Sequence, residues 1–388
     1  MSTPKNKKVI VALSGGVDSS VATVLLKEQG YQTEGVFMRL GIAGDDKNEK
    51  NARRVAKKLR IKFSVLDLGK EFKEKIINYF ISEYQKGRTP NPCVECNREI
   101  KFGLLMDKVL KNKTSFIATG HYVRLQNVIA REVRPKQSRN YKSQGLVTGL
   151  PRFVPLSLHF ARNDSKSGTA KFKLLKAKDK NKDQSYFLYT LNQKKLKQCL
   201  FPLGDYTKDE VRKIAGKYNF EINNKEESQE ICFITSKYYS DFLKKHLKLK
   251  SGDIIDTNGN ILGNHKSLSL YTIGQRRDIG IGGTGPYYVV GMNRRKNQLI
   301  VSNNKNDKKL FSRELIVKKV NWISGNVPKL PLKIKAKIRY RMKECSAVVD
   351  KAGNKYMVKF SKPQRAIMPG QSVVFYKGDE VLGGGIIT

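Results

Sequence analysis

At 388 residues the chain is longer than one domain usually needs, so two or three domains with at least one sizeable core are expected. Its 39% hydrophobic and 28% charged residues exclude a disordered chain, and 76 Lys and Arg against 34 Asp and Glu leave a net charge of +42, which points to a polyanionic partner or, on the blander reading, to a lysine-rich solvated surface. Five scattered cysteines exclude a secreted disulfide framework, the N-terminus lacks a signal-peptide pattern, and no stretch reaches the roughly 20 apolar residues of a membrane span, so a cytoplasmic protein without a membrane partner is expected.

Residues 8–13 form a Val/Ile-rich strand, and 19–30 carry apolar residues at helical spacing. Strands at 31–38, 62–68 and 115–119 alternate with helices at 52–59, 71–84 and 97–110, a pattern that calls for a parallel sheet with ligands at its C-terminal strand ends. From 125 to 173 the pattern dissolves into a basic stretch with Pro135, Pro151 and Pro155, read as an irregular insertion. Helical spacing resumes at 193–200 and at 207–218, the latter opening on a capping box of Thr207 and Glu210. After about 236 short strands alternate with Gly and Asn turns, and from about 310 period-two alternation suggests a small closed barrel. The expected architecture is α/β: a Rossmann-like ATP-binding domain over 1–236 with the insertion inside it, a small β-rich central domain over 237–308, and a C-terminal β-barrel over 309–388.

The strongest local signal is the run from Val9 to Ser20, a strand entering a glycine turn that opens a helix. Gly15 and Gly16 let backbone approach a phosphate, the hydroxyls of Ser14, Ser19 and Ser20 can donate, and the helix start contributes partial positive charge. Asp18 is a poor phosphate ligand but suits Mg²⁺. The run lacks the Lys of a Walker loop and the spacing of a dinucleotide fingerprint. It resembles instead the Ser-Gly-Gly-x-Asp-Ser loop of the PP-loop pyrophosphatases, which cleave ATP between the α and β phosphates and adenylate a substrate.

Cys93 and Cys96 precede the helix expected from Asn97, where the helix dipole, Arg98 and Lys101 should favour a nucleophilic thiolate. Cys232 stands far downstream between apolar residues. With these thiols the chain resembles the tRNA-specific 2-thiouridylase family almost end to end: residues 35–38 (GVFM), 87–92 (GRTPNP), 96–102 (CNREIKF), 118–122 (ATGHY), 181–188 (NKDQSYFL), 201–204 (FPLG), 228–234 (SQEICFI), 271–276 (YTIGQR), 339–341 (RYR) and 369–372 (PGQS) all match. The resemblance implies that ATP adenylates the 2-oxygen of a wobble uridine. A persulfide on Cys232, loaded by a sulfur donor protein, would then deliver sulfur, and Cys96 would assist release, leaving a Cys96–Cys232 disulfide.

Carried over position by position, Ala12, Leu13, Ser14, Gly15, Gly16, Val17, Asp18, Ser19, Met38 and Gly120 would hold ATP. Asn91, Pro92 and Cys93 would face the target base, and His121, Lys182, Asp183, Gln184, Arg339, Tyr340 and Gln371 would touch tRNA. An extruded loop base is compatible with such chemistry. Three features depart from the family: Cys93 stands where many relatives have Asp, residues 39–46 replace the usual continuation after Met38, and the insertion at 125–173 is longer than the family pattern. The first leaves two routes open, a persulfide route with Cys93 as proton carrier, or an iron–sulfur cluster on Cys93, Cys96 and Cys232. Two other classes remain: a PP-loop ligase or amidotransferase, which has no need of the cysteines, and an RNA-binding protein without catalysis, which leaves the phosphate loop without a purpose.

Overall fold

A computed structural model describes residues 7–110, 115–128, 171–220, 231–234, 239–282 and 285–388. The N-terminal strand β1 (Lys8–Ala12) is buried along its length except at its ends, as its unbroken Val/Ile run requires. It lies between β2 (Gln32–Arg39) and β4 (Phe116–Ala118), with β3 (Lys62–Asp67) and β7 (Cys199–Leu200) at the edges, all parallel, in the order β3-β2-β1-β4-β7. Sequential strands run outward from β1 in both directions, so the chain reverses at β1 and β4, where such sheets bind ligands beyond their C-terminal ends. Helices α1 (Val17–Glu28) and α2 (Asp45–Lys58) cover this sheet, packing Val24 and Ala52 against Leu13 and Phe37.

Two helical stretches are wider than expected. Gly69–Phe72 continues through a π-helical segment, Lys73–Ile77, into Asn78–Gln85. The second begins at Pro92, five residues before the position expected from the sequence, because Asn91 caps it and Pro92 fits its first turn. It runs Pro92–Glu95, then as a π-helix Cys96–Leu105, then Met106–Val109. Gly103 leaves helical geometry there, and a Cβ on it would lie 2.8 Å from the Arg98 carbonyl oxygen, so this winding needs a glycine.

The helix expected at 193–200 stops at Leu196, and Cys199–Leu200 is strand β7. Leu196, Cys199 and Leu200 fit helical spacing, but Cys199 and Leu200 are buried in register with Ile117 and Ala118, so tertiary pairing overrides the local pattern. The 125–173 stretch is likewise not irregular at its flanks: β5 (Val123–Val128) and β6 (Lys171–Lys176) form an antiparallel hairpin, while 129–170 lie outside the described residues. Each strand is only six residues long and merges into polar sequence, which hid its alternation. The capping box at Thr207 is present and starts the helix Lys208–Lys217.

The central sheet combines β8 (Gly252–Ile255), β9 (Ile261–His265), β10 (Tyr288–Asn293) and β11 (Gln298–Ser302) in the order β10-β11-β8-β9. Six C-terminal strands follow: β12 (Phe311–Trp322), β13 (Leu332–Lys337), β14 (Cys345–Ala352), β15 (Lys355–Arg365), β16 (Ser372–Lys377) and β17 (Glu380–Ile387). Pairing of β12 with β17 closes them into a barrel filled by Val317, Val349, Val358, Val373 and Phe375. Strand β6 pairs with β17, so the N-terminal hairpin extends the barrel's sheet and ties the two regions together.

Candidate active site

A cavity of about 3670 Å³ runs from the C-terminal end of β1 to the hairpin and barrel. Around its walls Lys and Arg outnumber Asp and Glu by more than two to one, a field that favours a polyanion. At one end lies the glycine turn. Gly15 has φ +73°, and a Cβ there would lie 2.2 Å from the Asn48 carbonyl oxygen of α2. Behind the turn, a Cβ on Gly120 would lie 2.9 Å from the Asp18 carbonyl carbon and the Ser19 nitrogen. Both positions require glycine because backbone packs on backbone.

The turn holds its own shape. The Ser14 N–H donates to Ser19 Oγ at 3.1 Å, and the hydroxyls of Ser19 and Ser20 donate to the Gly16 carbonyl at 3.2 and 2.9 Å. Ser19 and Ser20 are buried beneath the turn, so of the three serines only the exposed Ser14 offers a hydroxyl to the cavity. Helix α1 starts behind Gly16 with no side-chain cap, which leaves its positive end directed at the turn.

Asp18 does more than the sequence suggests. Its Oδ1 accepts from the Tyr122 hydroxyl and from the Lys208 ammonium, each at 2.7 Å. Among the described residues no group of three His, Cys, Asp or Glu could hold a metal ion. Cys93, Cys96 and Cys232 make no such group in this structure either.

Cys93, Cys96 and Cys232 all line the cavity with the glycine turn, and all three are free thiols. Winding places two of them. Cys93 and Cys96 are three residues apart on an α-helical turn, and the π-helical segment, with about 4.4 residues per turn, brings Lys101 round toward the same face. Cys232 precedes an aromatic anchor: Phe233 packs edge-on against Phe72 and Phe80, with ring centroids 5.9 and 5.4 Å apart, and leaves its neighbour exposed to the cavity.

The thiols are not acidified as the sequence suggested. Although Cys93 and Cys232 are exposed to the cavity, the protein atoms of its concave wall desolvate the thiols, pushing Cys93 up to about 11 and Cys96 to about 12 and raising Cys232 as well, with the Lys101 charge opposing the rise at each. The cause of the discrepancy is visible: the helix begins at Pro92, so Cys96 lies beyond its first turn, and Arg98 is paired with Glu95 and Glu99. His121 is buried, contacts the Thr119 hydroxyl through Nδ1 at 2.8 Å, and is held well below its ordinary pKa by burial, hence neutral.

Of the other residues singled out from sequence, Ala12, Leu13, Gly16, Val17, Met38, Pro92, His121, Lys182, Asp183, Gln184 and Tyr340 line the cavity. Asp183 is occupied locally, accepting from the Ala177 and Ser185 N–H groups and the Ser185 hydroxyl, and Gln184 accepts from the Tyr122 N–H. Asn91 caps its helix through the Val94 N–H, Arg339 donates to the Ala366 carbonyl, and Gln371 closes a turn on Met368; these three, with Ser19 and Gly120, are not cavity walls. Sequence reading passed over Lys208, Tyr122 and Phe187, whose ring lies 4.4 Å from that of Tyr340. Lys208 follows the capping box, and Tyr122 ends the 118–122 match, so both were within reach of the motifs.

Residues 39–46, the second departure from the family pattern, close on themselves: Asp45 Oδ2 accepts from the N–H groups of Leu40 and Ile42 at 2.9 and 3.1 Å. That buries Asp45 in the cavity wall, where its charge opposes ionisation of Cys232.

Comparison with known proteins supplies the context. Residues 7–148 and 154–236 match the family profile described as tRNA methyl transferase HUP domain, 240–303 the tRNA methyl transferase PRC-barrel domain, and 312–387 the Aminomethyltransferase beta-barrel domain. Over 396 residues the chain is 41% identical to tRNA-specific 2-thiouridylase MnmA of Clostridioides difficile, covering 98% of both chains. It is 43% identical over 397 residues to tRNA-specific 2-thiouridylase MnmA 1 of Caldanaerobacter subterraneus, and 42% identical over 394 to tRNA-specific 2-thiouridylase MnmA of Halothermothrix orenii, again with 98% of each chain covered.

Proposed function

Since the chain belongs to the tRNA-specific 2-thiouridylase family and is a tRNA sulfurtransferase, we propose that its activity proceeds in two half-reactions within this one cavity, adenylation at the glycine turn and sulfur transfer at the thiols. The family profiles carry methyl-transfer names, but full-length relatives are named for thiolation, and thiols beside a nucleotide-type loop fit the latter. The single observation that carries the reading is that residues 12–18, Cys96 and Cys232, separated widely in sequence, line the same cavity.

In the first half-reaction the uracil 2-oxygen attacks the α-phosphorus of ATP, the bond to the β-phosphate breaks, and pyrophosphate departs with the electron pair. A carbonyl oxygen is a poor leaving group, whereas the esterified oxygen departs as AMP. In the second, the terminal sulfur of a Cys232 persulfide attacks C2 and AMP leaves. The Cys96 thiolate then attacks Sγ of Cys232, so that the persulfide bond breaks, a Cys96–Cys232 disulfide forms and the thiocarbonyl stays on the base. An external reductant restores the thiols, and a persulfide-bearing protein reloads Cys232.

Phe187 and Tyr340 offer aromatic faces in the cavity for an extruded base, and the basic walls suit the flanking phosphates. No helix among the described residues is long and apolar enough to cross a membrane. The test is mass spectrometry of tRNA nucleosides from cells lacking the protein and complemented with wild type, Cys96→Ser or Cys232→Ser. Wild type alone should restore 2-thiouridine derivatives; full restoration by either variant would sink the two-thiol reading.

A further inference from the structure

The starts of two helices meet at the phosphate end of the cavity. Val21, Ala22 and Leu25 of α1 pack in one cluster with Val211 and Ala215 of the Lys208–Lys217 helix and with Tyr122, which holds the helices side by side. Lys208, the first residue after the Thr207 cap, is thereby set against Asp18, the second residue of α1, with Nζ 2.7 Å from Oδ1.

This is an unfavourable place for a lysine unless an anion belongs there. Only 9% of its side chain is exposed, so the ammonium has lost most of its water. It also stands in the first turn of its own helix and beside the start of α1, where both dipoles present positive ends. Asp18 Oδ1, which also accepts from the Tyr122 hydroxyl, is set against this ammonium, and the Tyr122 ring centre lies 5.9 Å from Nζ. An ion pair with a desolvated lysine contributes little to stability, so a lysine held at the glycine turn in this way argues for a use beyond folding. Ser14, Gly16, Asp18, Lys208 and Arg212 all line this end of the cavity.

We propose that Lys208 is a binding residue for the β- and γ-phosphate groups of ATP and stabilises the departing pyrophosphate, with Asp18 holding its ammonium at the glycine turn. The proposal rests on the adenylation reading above. When the uracil oxygen bonds to the α-phosphorus and the bridging bond to the β-phosphate breaks, the electron pair leaves on pyrophosphate, and the uracil N3 proton passes to water. The new charge develops on the leaving group, and a fixed, desolvated ammonium there acts on the transition state more than on the ground state.

The test uses the full-length protein, an unmodified tRNA substrate and ATP, with two readouts: tRNA-dependent AMP formation in single turnover, and calorimetric binding of inorganic pyrophosphate. Lys208→Gln should weaken pyrophosphate binding about 10- to 100-fold and slow AMP formation by a similar factor, as expected for losing a charged hydrogen bond. Lys208→Arg should recover most of both, while tRNA affinity and thermal midpoint stay near wild type. A merely structural lysine would lower midpoint and tRNA affinity together, without rescue by Arg, and that outcome overturns the proposal. So does wild-type pyrophosphate affinity in Lys208→Gln. Lys208→Met, which removes the buried charge without leaving a polar group, serves as the second variant should Gln not fold. If wild-type protein thiolates tRNA without forming AMP, the adenylation reading fails, whereas the pyrophosphate measurement still decides Lys208.

Discussion

The two ends of the cavity are built differently. At the phosphate end, hydrogen bonds among Ser14, Gly16, Ser19 and Ser20 fix the turn, glycines at 15 and 120 admit neighbouring backbone, and Asp18 is already bonded to Tyr122 and Lys208. At the sulfur end, three thiols stand unbonded to one another, and burial opposes the ionised state that each needs. On the proposed reading the nucleotide grip is set by the fold, while the sulfur chemistry depends on charge brought to a site that resists it. If that contrast is real, the two half-reactions should fail separately.

The largest effect should come from the thiols. Cys96→Ser and Cys232→Ser are expected to lower thiolation by about 10³-fold or more, since no hydroxyl replaces the persulfide chemistry. Both should still form AMP, measured in single turnover with tRNA and ATP. Loss of AMP formation in either would mean that the ends are coupled and would break the comparison. The reverse experiment is Gly120→Val. Its side chain would collide with backbone at Asp18 and Ser19, and overpacking of about 1–3 kcal/mol at that contact should weaken ATP binding about 10- to 100-fold. Alkylation of Cys96 by iodoacetamide should hardly change.

How far the sequence revealed this arrangement follows from what each part depends on. The parallel sheet, the glycine turn and the Thr207 capping box rest on contiguous residues, so alternation and spacing expose them. Strand β7 is two residues held by pairing with β4, and the hairpin of β5 and β6 is short strands around a long polar stretch; neither has a local pattern strong enough to stand alone. Within the site, cysteine positions were legible from motifs, but thiol acidity was not. It depends on where the helix starts, on Glu95 and Glu99 taking up Arg98, and on the depth of the wall, all of which are three-dimensional. The capping box marked the position of Lys208, but its place in the site escaped because its partner Asp18 is 190 residues away.

A several-fold effect should expose the electrostatics of the sulfur end. With the Cys96 thiol pushed up to about 12, its thiolate fraction is small at neutral pH, so the alkylation rate should rise about tenfold per pH unit from pH 7 to 10 without a plateau. Lys101 is the cation that opposes burial at Cys93, Cys96 and Cys232, whereas Asp45 acts against Cys232. Removing its charge disfavours the thiolate, so Lys101→Gln should slow alkylation at fixed pH about 3- to 10-fold, and Lys101→Arg should restore it. A plateau below pH 9 in the wild type would show that the thiols are acidified after all.

The smallest effects give the sharpest comparison, because they remove similar free energy from a helix start at each end. Thr207 caps the helix that carries Lys208, accepting from the Glu210 N–H at 3.3 Å, and Asn91 caps the helix that carries Cys93 and Cys96, accepting from the Val94 N–H at 3.3 Å. Replacing either with Ala should cost about 1 kcal/mol and lower the thermal midpoint by about 1–3 °C. The functional consequences should differ. Thr207→Ala loosens the first turn on which Lys208 sits, so AMP formation should slow about twofold while Cys96 alkylation stays unchanged. Asn91→Ala loosens the turn that orients the thiols, so Cys96 alkylation should shift while pyrophosphate binding is preserved. If both variants altered both readouts equally, the cavity would be a single mechanical unit, and the distinction between a preset phosphate end and a charge-dependent sulfur end would not hold.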